Sequence, residues 1–117
     1  SSRLVFHIDA PPVLPAMRAA VEVAAYRIVT ESMVNVVKHA EASFCRVKLE
    51  VTDTGRLYVE VTDDGIGVGA AKRPAWSGSS GVGLISMRER AAEIGGECGI
   101  EPTSGGGTRV WAALPLQ

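Results

Sequence analysis

Apolar residues recur along this chain with two different spacings, and each spacing predicts a different kind of element. From Ala16 to about Ala40 they return every three or four residues, which is typical of a helix with one buried stripe. From Phe44 to Thr52, and again from Leu57 to Thr62, alternate residues are apolar, and the turn Asp53-Thr54-Gly55 lies between the two runs. This second pattern predicts two strands that form a hairpin. The helical stripe consists of Met17, Val21, Ala24, Ile28, Ser32 and Val36.

The remaining segments predict three more strands and one more helix. The predicted strands are Leu4 to Ile8, Glu97 to Glu101 and Thr108 to Leu114, and the predicted helix is Val82 to Ile94. Gly95-Gly96 follows this helix, as a left-handed C-terminal cap requires. The order of strand, helix, two strands, loop, helix and two strands predicts an α+β fold over residues 1–117. This fold is a two-layer α/β sandwich in which helices cover one face of a mixed sheet.

Composition and charge are those of one ordinary globular domain, and they exclude several functions. The 117 residues are 46% hydrophobic and 21% charged, with a net charge of −1. There is no basic stripe for nucleic acid and no polybasic run for an anionic membrane, so we expect neither partner. Charged residues interrupt the most apolar stretch, Met17 to Val37, which therefore does not predict a membrane span. Cys45 and Cys98 lack metal-ligand spacing and are expected to be half-buried thiols in a reducing cytoplasm.

Two polar residues lie on strand faces that are otherwise apolar. Asp63 continues the apolar face of the strand that begins at Leu57, and Thr108 shares the apolar face of the last predicted strand. A buried polar group without a partner costs about 1–3 kcal/mol, so each side chain needs one. Asp63 could simply cap the turn that follows it. A polar ligand between the sheet and the helices would instead explain both residues.

Four polar residues near the end of the first predicted helix share about 100° of its surface. They are Glu31, Asn35, Lys38 and His39. Such a set can be a solvated face, but asparagine is unfavourable inside a helix because its amide competes for backbone hydrogen bonds. An asparagine between a glutamate and a lysine is better explained as part of a site for a metal and phosphate. Amide and carboxylate oxygens suit Mg²⁺, and an ammonium group suits phosphate.

Two glycine-containing runs follow this helix in the chain. Asp63-Asp64-Gly65-Ile66-Gly67 ends a strand with carboxylates and opens a loop, and Gly81-Val82-Gly83-Leu84 opens the second predicted helix. The free N–H groups at a helix N-terminus attract anions. Neither run has the spacing of a Walker A or a dinucleotide-binding sequence, and each one alone indicates little more than a turn. Their order and spacing after the asparagine-containing helix are more specific.

Together these motifs resemble those of the catalytic domains of bacterial sensor histidine kinases, which belong to the Bergerat-fold ATPases. Tyr26 to Ala40 resembles the N box of these kinases, Asp63 to Gly67 the first glycine box, Gly81 to Arg90 the second, and Gly106-Gly107-Thr108 the closing glycine–threonine element. The sequences NxxKHA and GLxxMRER are similar to the subgroup whose usual partners are response regulators with LuxR-type outputs. The resemblance implies an ATP-dependent protein-histidine kinase domain.

The resemblance implies two cofactors, ATP and Mg²⁺, and assigns residues to each. Asp63 is expected to accept a hydrogen bond from the adenine amino group, and Thr108 to complete that end through water. Asn35 is expected to bind Mg²⁺, with Glu31 orienting the water shell of the metal. Asn35 and Glu31 are therefore the catalytic residues that the resemblance implies.

The phosphate end of the nucleotide is assigned in the same way. The phosphate contacts implied are Lys38, His39 and, as a further candidate, Arg88. The backbone positions implied beside the nucleotide are Gly65 and Gly67. The second glycine box is implied to bind ATP through Gly81, Val82, Gly83 and Leu84, and Gly81 and Gly83 are also expected to form the hinge of a lid. The lid itself, Val68 to Ser80, has few apolar residues and is expected to be poorly ordered without nucleotide.

The resemblance also implies partners beyond this chain. No segment resembles a dimerisation helix with a phosphoacceptor histidine, and neither His7 nor His39 has that context. The γ-phosphoryl group of ATP is therefore expected to pass to a separate dimerisation domain, and from there to a response regulator. We expect the domain in the cytoplasm, either free or tethered to the membrane through the full-length kinase.

Two alternative functions remain open at this point. One is an anti-sigma-factor serine kinase of the same fold, which the GLxxMRER sequence disfavours. The other is a nucleotide-binding interaction module without phosphotransfer, which the Glu31–Asn35 pair disfavours.

Overall fold

The structure, a computed structural model, describes residues 4–65 and 81–117. The elements in this part of the chain are β1 Val5–Asp9, α1 Ala19–Asn35, β2 Phe44–Val51, β3 Arg56–Asp63, α2 Gly81–Glu93, β4 Glu97–Pro102 and β5 Thr108–Pro115. A π-helical turn, Val36–Ala40, extends α1. The lid predicted from Val68 to Ser80 lies outside the described residues. Neither α1 nor α2 is long and apolar enough to cross a membrane.

The strands form one mixed sheet in the order β1-β2-β3-β5-β4. β1 runs parallel to β2, whereas the other neighbouring strands are antiparallel. The parallel pair needs a long crossover connection, and α1 provides it. α1 packs against β3 and β5, while α2 packs against β4, β5 and α1. The predicted α+β sandwich with a mixed sheet is therefore confirmed.

The hydrophobic core lies between the helices and one face of the sheet. On β3 the inward residues Leu57, Val59 and Val61 are at most 2% exposed, and Val21 and Ile28 of α1 are fully buried. Burying an aliphatic side chain of this size stabilises the fold by about 1.5–3 kcal/mol. The predicted alternation of β3 is therefore confirmed, and so is the predicted stripe from Val21 to Val36. Met17, the first residue of the predicted stripe, lies before the helix and is only partly buried. Because the alternation continues to the end of β3, the side chain of its last residue, Asp63, also lies on the interior face.

The predicted start of the first helix is wrong, and its end has a geometry that was not predicted. Arg18 has extended backbone angles, φ −61° and ψ 147°, so the helix begins at Ala19 rather than at Ala16. After Asn35 the helix widens into the π-helical turn, a rare geometry that is often found at functional sites. Glu41 then adopts a left-handed conformation with φ 52°, and the chain turns towards β2.

The second helix ends as the sequence predicts. Gly95 has φ 83°, the left-handed conformation that glycine adopts at no steric cost. The N–H of Gly96 donates to the carbonyl of Ala91 at 2.8 Å, and the N–H of Gly95 donates to the carbonyl of Ala92 at 3.0 Å. These two bonds form a Schellman cap, and the chain continues directly into β4.

Candidate functional site

The two polar residues predicted on apolar strand faces are neighbours across the sheet. Asp63 ends β3 and pairs in register with Thr108, the first residue of β5. Asp63 is 3% exposed and Thr108 is 1% exposed, so both predicted burials are confirmed. They continue the face on which Val61 of β3 pairs with Val110 of β5. A carboxylate and a hydroxyl therefore lie together at one end of the core, on the side of the sheet that the helices cover.

The carboxylate of Asp63 has one clear partner and an environment that disfavours its charge. Its Oδ1 atom accepts a hydrogen bond from the N–H of Gly65 at 2.8 Å, so Asp63 does cap the following turn. Burial has the largest effect and raises the pKa of Asp63 above its ordinary value. The N–H of Gly65 lowers this pKa, the charge of Asp64 raises it by a smaller amount, and the backbone N–H of Thr108 lowers it least. Turn capping alone needs no burial, because an exposed aspartate can make the same bond. The burial is the feature that indicates a ligand.

Asn35 presents a second buried polar group, this time from α1. The residue is 3% exposed, and its Nδ2 atom has no hydrogen-bond partner in residues 4–65 and 81–117. A buried donor without a partner costs about 1–3 kcal/mol and is rare in folded proteins. The alternative that this face of the helix is solvated is therefore wrong for Asn35. An unpaired donor in this position indicates a polar ligand.

The neighbours of Asn35 in the N box differ in exposure. Glu31, one turn earlier on α1, is partly buried, whereas Lys38 in the π-helical turn is exposed. The side chain of His39 lies outside the described part of the structure. Asn35 thus lies on the buried side of the helix, Glu31 at the edge of that side, and Lys38 at its exposed rim.

The second glycine box forms the beginning of α2, as predicted. Gly81 is the first residue of this helix, and Gly83 follows in its first turn. The side chains of Val82 and Leu84 lie outside the described part, as does Gly67 of the first glycine box. Further along α2, Arg88 is exposed. Beside it, Met87 is buried, and its sulfur lies 3.9 Å from the hydroxyl of Ser32 on α1, so the two helices touch just before Asn35.

Gly107 has a structural role that was not predicted. A Cβ atom at this position would lie 1.9 Å from the carbonyl oxygen of Asp63 and 2.8 Å from its carbonyl carbon. The segment that leads into β5 therefore lies directly against the end of β3, at a separation that only glycine allows. The sequence shows a glycine–threonine element here, but not which backbone it contacts.

We expect Gly107→Ala to destabilise the domain and to displace Asp63. Overpacking of this kind costs about 1–3 kcal/mol, because the backbone at the end of β3 must move. Gly105→Ala is the matched control, since a Cβ atom there would meet no atom within 4 Å. Chemical denaturation of both variants checks the prediction. Equal unfolding midpoints for the two variants would show that the close approach has no structural importance.

The opposite face of the sheet also has a groove, of about 430 Å³, but its two arginines are already paired with carboxylates. Arg46 pairs with Asp9 at 2.8 Å, and Arg109 pairs with Glu60 at 3.1 Å and also with Glu101. The neighbouring carboxylates offset the positive charge of each arginine, so these arginines attract an anion only weakly. The buried residues on the helix-covered face are therefore the better candidates for a ligand site.

Known proteins resemble this chain along most of its length. Residues 20–117 match the family described as histidine kinase-, DNA gyrase B-, and HSP90-like ATPase. The nitrate/nitrite sensor protein NarQ of Escherichia coli is 38% identical over 95 residues, which are 81% of this chain and 16% of that protein. The sensor histidine kinase YxjM of Bacillus subtilis is 34% identical over 91 residues, which are 78% of this chain and 20% of that protein. The chain thus spans at most 20% of the length of these two relatives.

A solved structure shows the same fold. It is the histidine kinase domain of a blue-light-activated histidine kinase from Erythrobacter litoralis, with a TM-score of 0.76 and 22% identity. The likeness covers 99% of this chain and 53% of the solved chain. The family match over residues 20–117 includes Asn35, both glycine boxes and the glycine–threonine element. The chain therefore belongs to the family of histidine kinase-, DNA gyrase B- and HSP90-like ATPases.

Proposed function

We propose that this chain is the ATP-binding catalytic domain of a sensor histidine kinase, which binds ATP between the helices and the sheet. The observation that most supports this function is the buried Asn35 amide, whose Nδ2 atom has no partner in the described residues. Asn35 belongs to α1, and α1 packs against the strands that end or begin with Asp63 and Thr108. One ligand between the helices and the sheet would form hydrogen bonds with polar groups of both layers.

The adenine end of the ligand would lie at Asp63 and Thr108. One oxygen of the Asp63 carboxylate binds the N–H of Gly65, which leaves acceptor capacity for the amino group of adenine. The hydroxyl of Thr108, directly across the sheet, would contribute through water. Buried polar groups of this kind give specificity, because a base without the matching donor leaves them unpaired.

The phosphate end would lie at Asn35, Glu31 and Lys38, and these residues fit a magnesium site. Among the described residues, no three His, Cys, Asp or Glu side chains lie close enough together to hold a metal. Mg²⁺ usually takes one or two protein oxygens together with substrate phosphates. The amide oxygen of Asn35 would supply such a ligand, and Glu31 would orient the coordinated water. When bound, the metal supplies charge neutralisation on the phosphates.

The chain's own residues would then hold the nucleotide for attack by a histidine outside this domain. Phosphoryl transfer depends mostly on positioning and charge neutralisation, so the domain needs no nucleophile of its own. Lys38, at the rim of the site, would contact the γ-phosphate. The acceptor would be the dimerisation domain of the same kinase in the cytoplasm, and the phosphoryl group would pass on to a response regulator of the LuxR type.

Binding of Mg–ADP is expected to stabilise the domain against heat. Mass action stabilises a protein by about 2.7 kcal/mol at a ligand concentration 100 times Kd. For a domain of this size that corresponds to a rise in Tm of roughly 10 °C. A thermal melt with Mg–ADP, ADP in EDTA and Mg–GDP checks the prediction, with the largest rise expected for Mg–ADP. An unchanged Tm at millimolar Mg–ADP would contradict nucleotide binding.

A further inference from the structure

Asp64, the residue after the buried Asp63, links two separate segments by its side chain. Its Oδ1 atom accepts hydrogen bonds from the N–H of Ser43 at 2.9 Å and from the N–H of Phe44 at 3.0 Å. Its Oδ2 atom accepts a hydrogen bond from the Ser43 hydroxyl at 2.8 Å. The N–H of Asp64 itself donates to the carbonyl of Phe44 at 3.2 Å. We refer to Asp64, Ser43 and Phe44 as the Asp64 bracket.

The Asp64 bracket joins the first glycine box to the segment that directly follows the N box. Ser43 and Phe44 lie just beyond the π-helical turn that ends the N-box helix, whereas Asp64 follows the last residue of β3. The regular ladder between β2 and β3 ends where Cys45 pairs with Asp63. Beyond that pair, the Asp64 side chain accepts hydrogen bonds from the N–H groups of Ser43 and Phe44 at the start of β2. The bracket thus fixes the segment that follows the N box against the start of the first glycine box.

We propose that Asp64 is a positioning residue that sets the adenine anchor, Asp63, at the correct place relative to the metal and phosphate anchor, Asn35. This proposal rests on the proposed function. A nucleotide that touches both anchors gains affinity only when their separation matches its own length, because the second contact is then intramolecular. A ligand that touches only one anchor does not depend on that separation. The bracket is therefore expected to affect the affinity for a nucleotide that touches both anchors, and not the affinity for a ligand that touches only one.

The side chain of Asp64 is exposed, and this makes the proposal testable by substitution. The hydroxyl of Ser43, followed by the N–H of Phe44, lowers the pKa of Asp64, so the carboxylate is ionised and a strong acceptor at neutral pH. Replacing an exposed side chain removes little buried surface and leaves the core intact. Asp64→Ala removes every side-chain bond of the bracket. Asp64→Asn keeps the amide oxygen as an acceptor for the two backbone N–H groups.

The test compares a spanning ligand with a one-anchor ligand. Kd for Mg–ADP is measured by calorimetry, and Kd for adenosine by ligand-observed NMR. For Asp64→Ala we expect about tenfold weaker Mg–ADP binding, equivalent to the loss of about 1.4 kcal/mol, with adenosine binding changed by less than about twofold. Asp64→Asn should restore most of the Mg–ADP affinity. Ser43→Ala, which removes one bond of the bracket, should show the same pattern with a smaller loss of about threefold.

The control is Asp53→Ala. Asp53 is also an exposed aspartate, but it lies in the turn at the opposite end of the same hairpin. Its substitution should change neither affinity. Equal weakening of Mg–ADP and adenosine by Asp64→Ala would overturn the proposal, because Asp64 would then merely support Asp63. Unchanged Mg–ADP affinity would overturn it as well. If the wild-type domain bound neither ligand, the proposed function would itself be wrong.

Discussion

Asn35→Ala is expected to abolish phosphoryl transfer to the dimerisation domain while leaving the fold intact. The amide of Asn35 is proposed to hold the metal that neutralises charge on the phosphoryl group during its transfer. Removal of a side chain that stabilises charge in this way lowers the rate by a factor of about 100 to 1,000. Adenine contacts at Asp63 do not involve this residue, so part of the nucleotide affinity should survive. The measurement is transfer of labelled phosphate from ATP to the phosphoacceptor helices of the same kinase, supplied in trans.

The same substitution should not destabilise the nucleotide-free domain. The Nδ2 atom of Asn35 is buried without a partner in the described residues, so its removal relieves a cost of about 1–3 kcal/mol. Alanine is also a better helix former than asparagine. We therefore expect a Tm equal to or above that of the wild type, together with loss of transfer. A large fall in Tm would show that the amide has a structural role.

Thr30→Ala is the matched control for Asn35→Ala. Thr30 is a polar residue on the same helix, and its hydroxyl donates to the carbonyl of Tyr26 within that helix at 2.9 Å. It is not among the residues assigned to the nucleotide. Its substitution should leave transfer unchanged. If both variants lost transfer equally, the loss would reflect a general disturbance of α1 rather than the chemistry of the asparagine.

Asp63→Asn is expected to weaken nucleotide binding by a factor of roughly 5 to 150. The new amide retains an acceptor for the N–H of Gly65 but offers a donor, where an acceptor is needed, to the amino group of adenine. The loss of one buried hydrogen bond corresponds to about 1–3 kcal/mol. Calorimetric titration with Mg–ADP measures the change, and Asp53→Asn in the distant hairpin turn is the matched control. Unchanged affinity in a folded variant would mean that Asp63 is only a turn cap.

The nucleotide-free Asp63→Asn variant should also differ from the wild type in its pH dependence. Burial raises the pKa of Asp63 above its ordinary value of 3.8, so at neutral pH the folded wild type bears the cost of a buried charge. As the pH falls through the raised pKa towards 3.8, the carboxyl takes up a proton and the wild type gains stability relative to the variant. Thermal melts between pH 7 and pH 4 measure this difference. A constant difference in Tm would contradict the raised pKa.

Periodicity predicted those parts of the site that depend on which face a residue occupies. The alternation of β3 and of β5 placed Asp63 and Thr108 in the interior, and both are buried. The helical spacing of α1 grouped Glu31 with Asn35, but it left open whether that group faces solvent or the core. Only the packing of α1 against β3 and β5 decides this, because a helix with apolar residues on several sides can be turned in more than one way.

Two of the unpredicted features depend on contacts between segments that are distant in the sequence. Gly107 lies against the backbone of Asp63 because β3 and β5 are neighbours, which the sequence order does not specify. The bonds of Asp64 to Ser43 and Phe44 exist because the ladder of β2 and β3 ends one residue earlier. The π-helical turn after Asn35 has no signature in the hydrophobic pattern. The contacts of Gly107 and Asp64 depend on which residues of neighbouring strands lie side by side, whereas periodicity predicts only which face of an element a residue occupies.

The central claim is that this domain donates the γ-phosphoryl group of ATP to a histidine on another domain, and the nature of the phosphorylated product tests it most directly. The domain is incubated with Mg–ATP labelled in the γ-position, with and without the phosphoacceptor helices of the same kinase, and the stability of the bound phosphate in acid is measured. We predict acid-labile phosphate on the helices and none on the domain alone. Acid-labile phosphate on His7 or His39 of the isolated domain, or acid-stable phosphoserine on a separate protein, would contradict the claim.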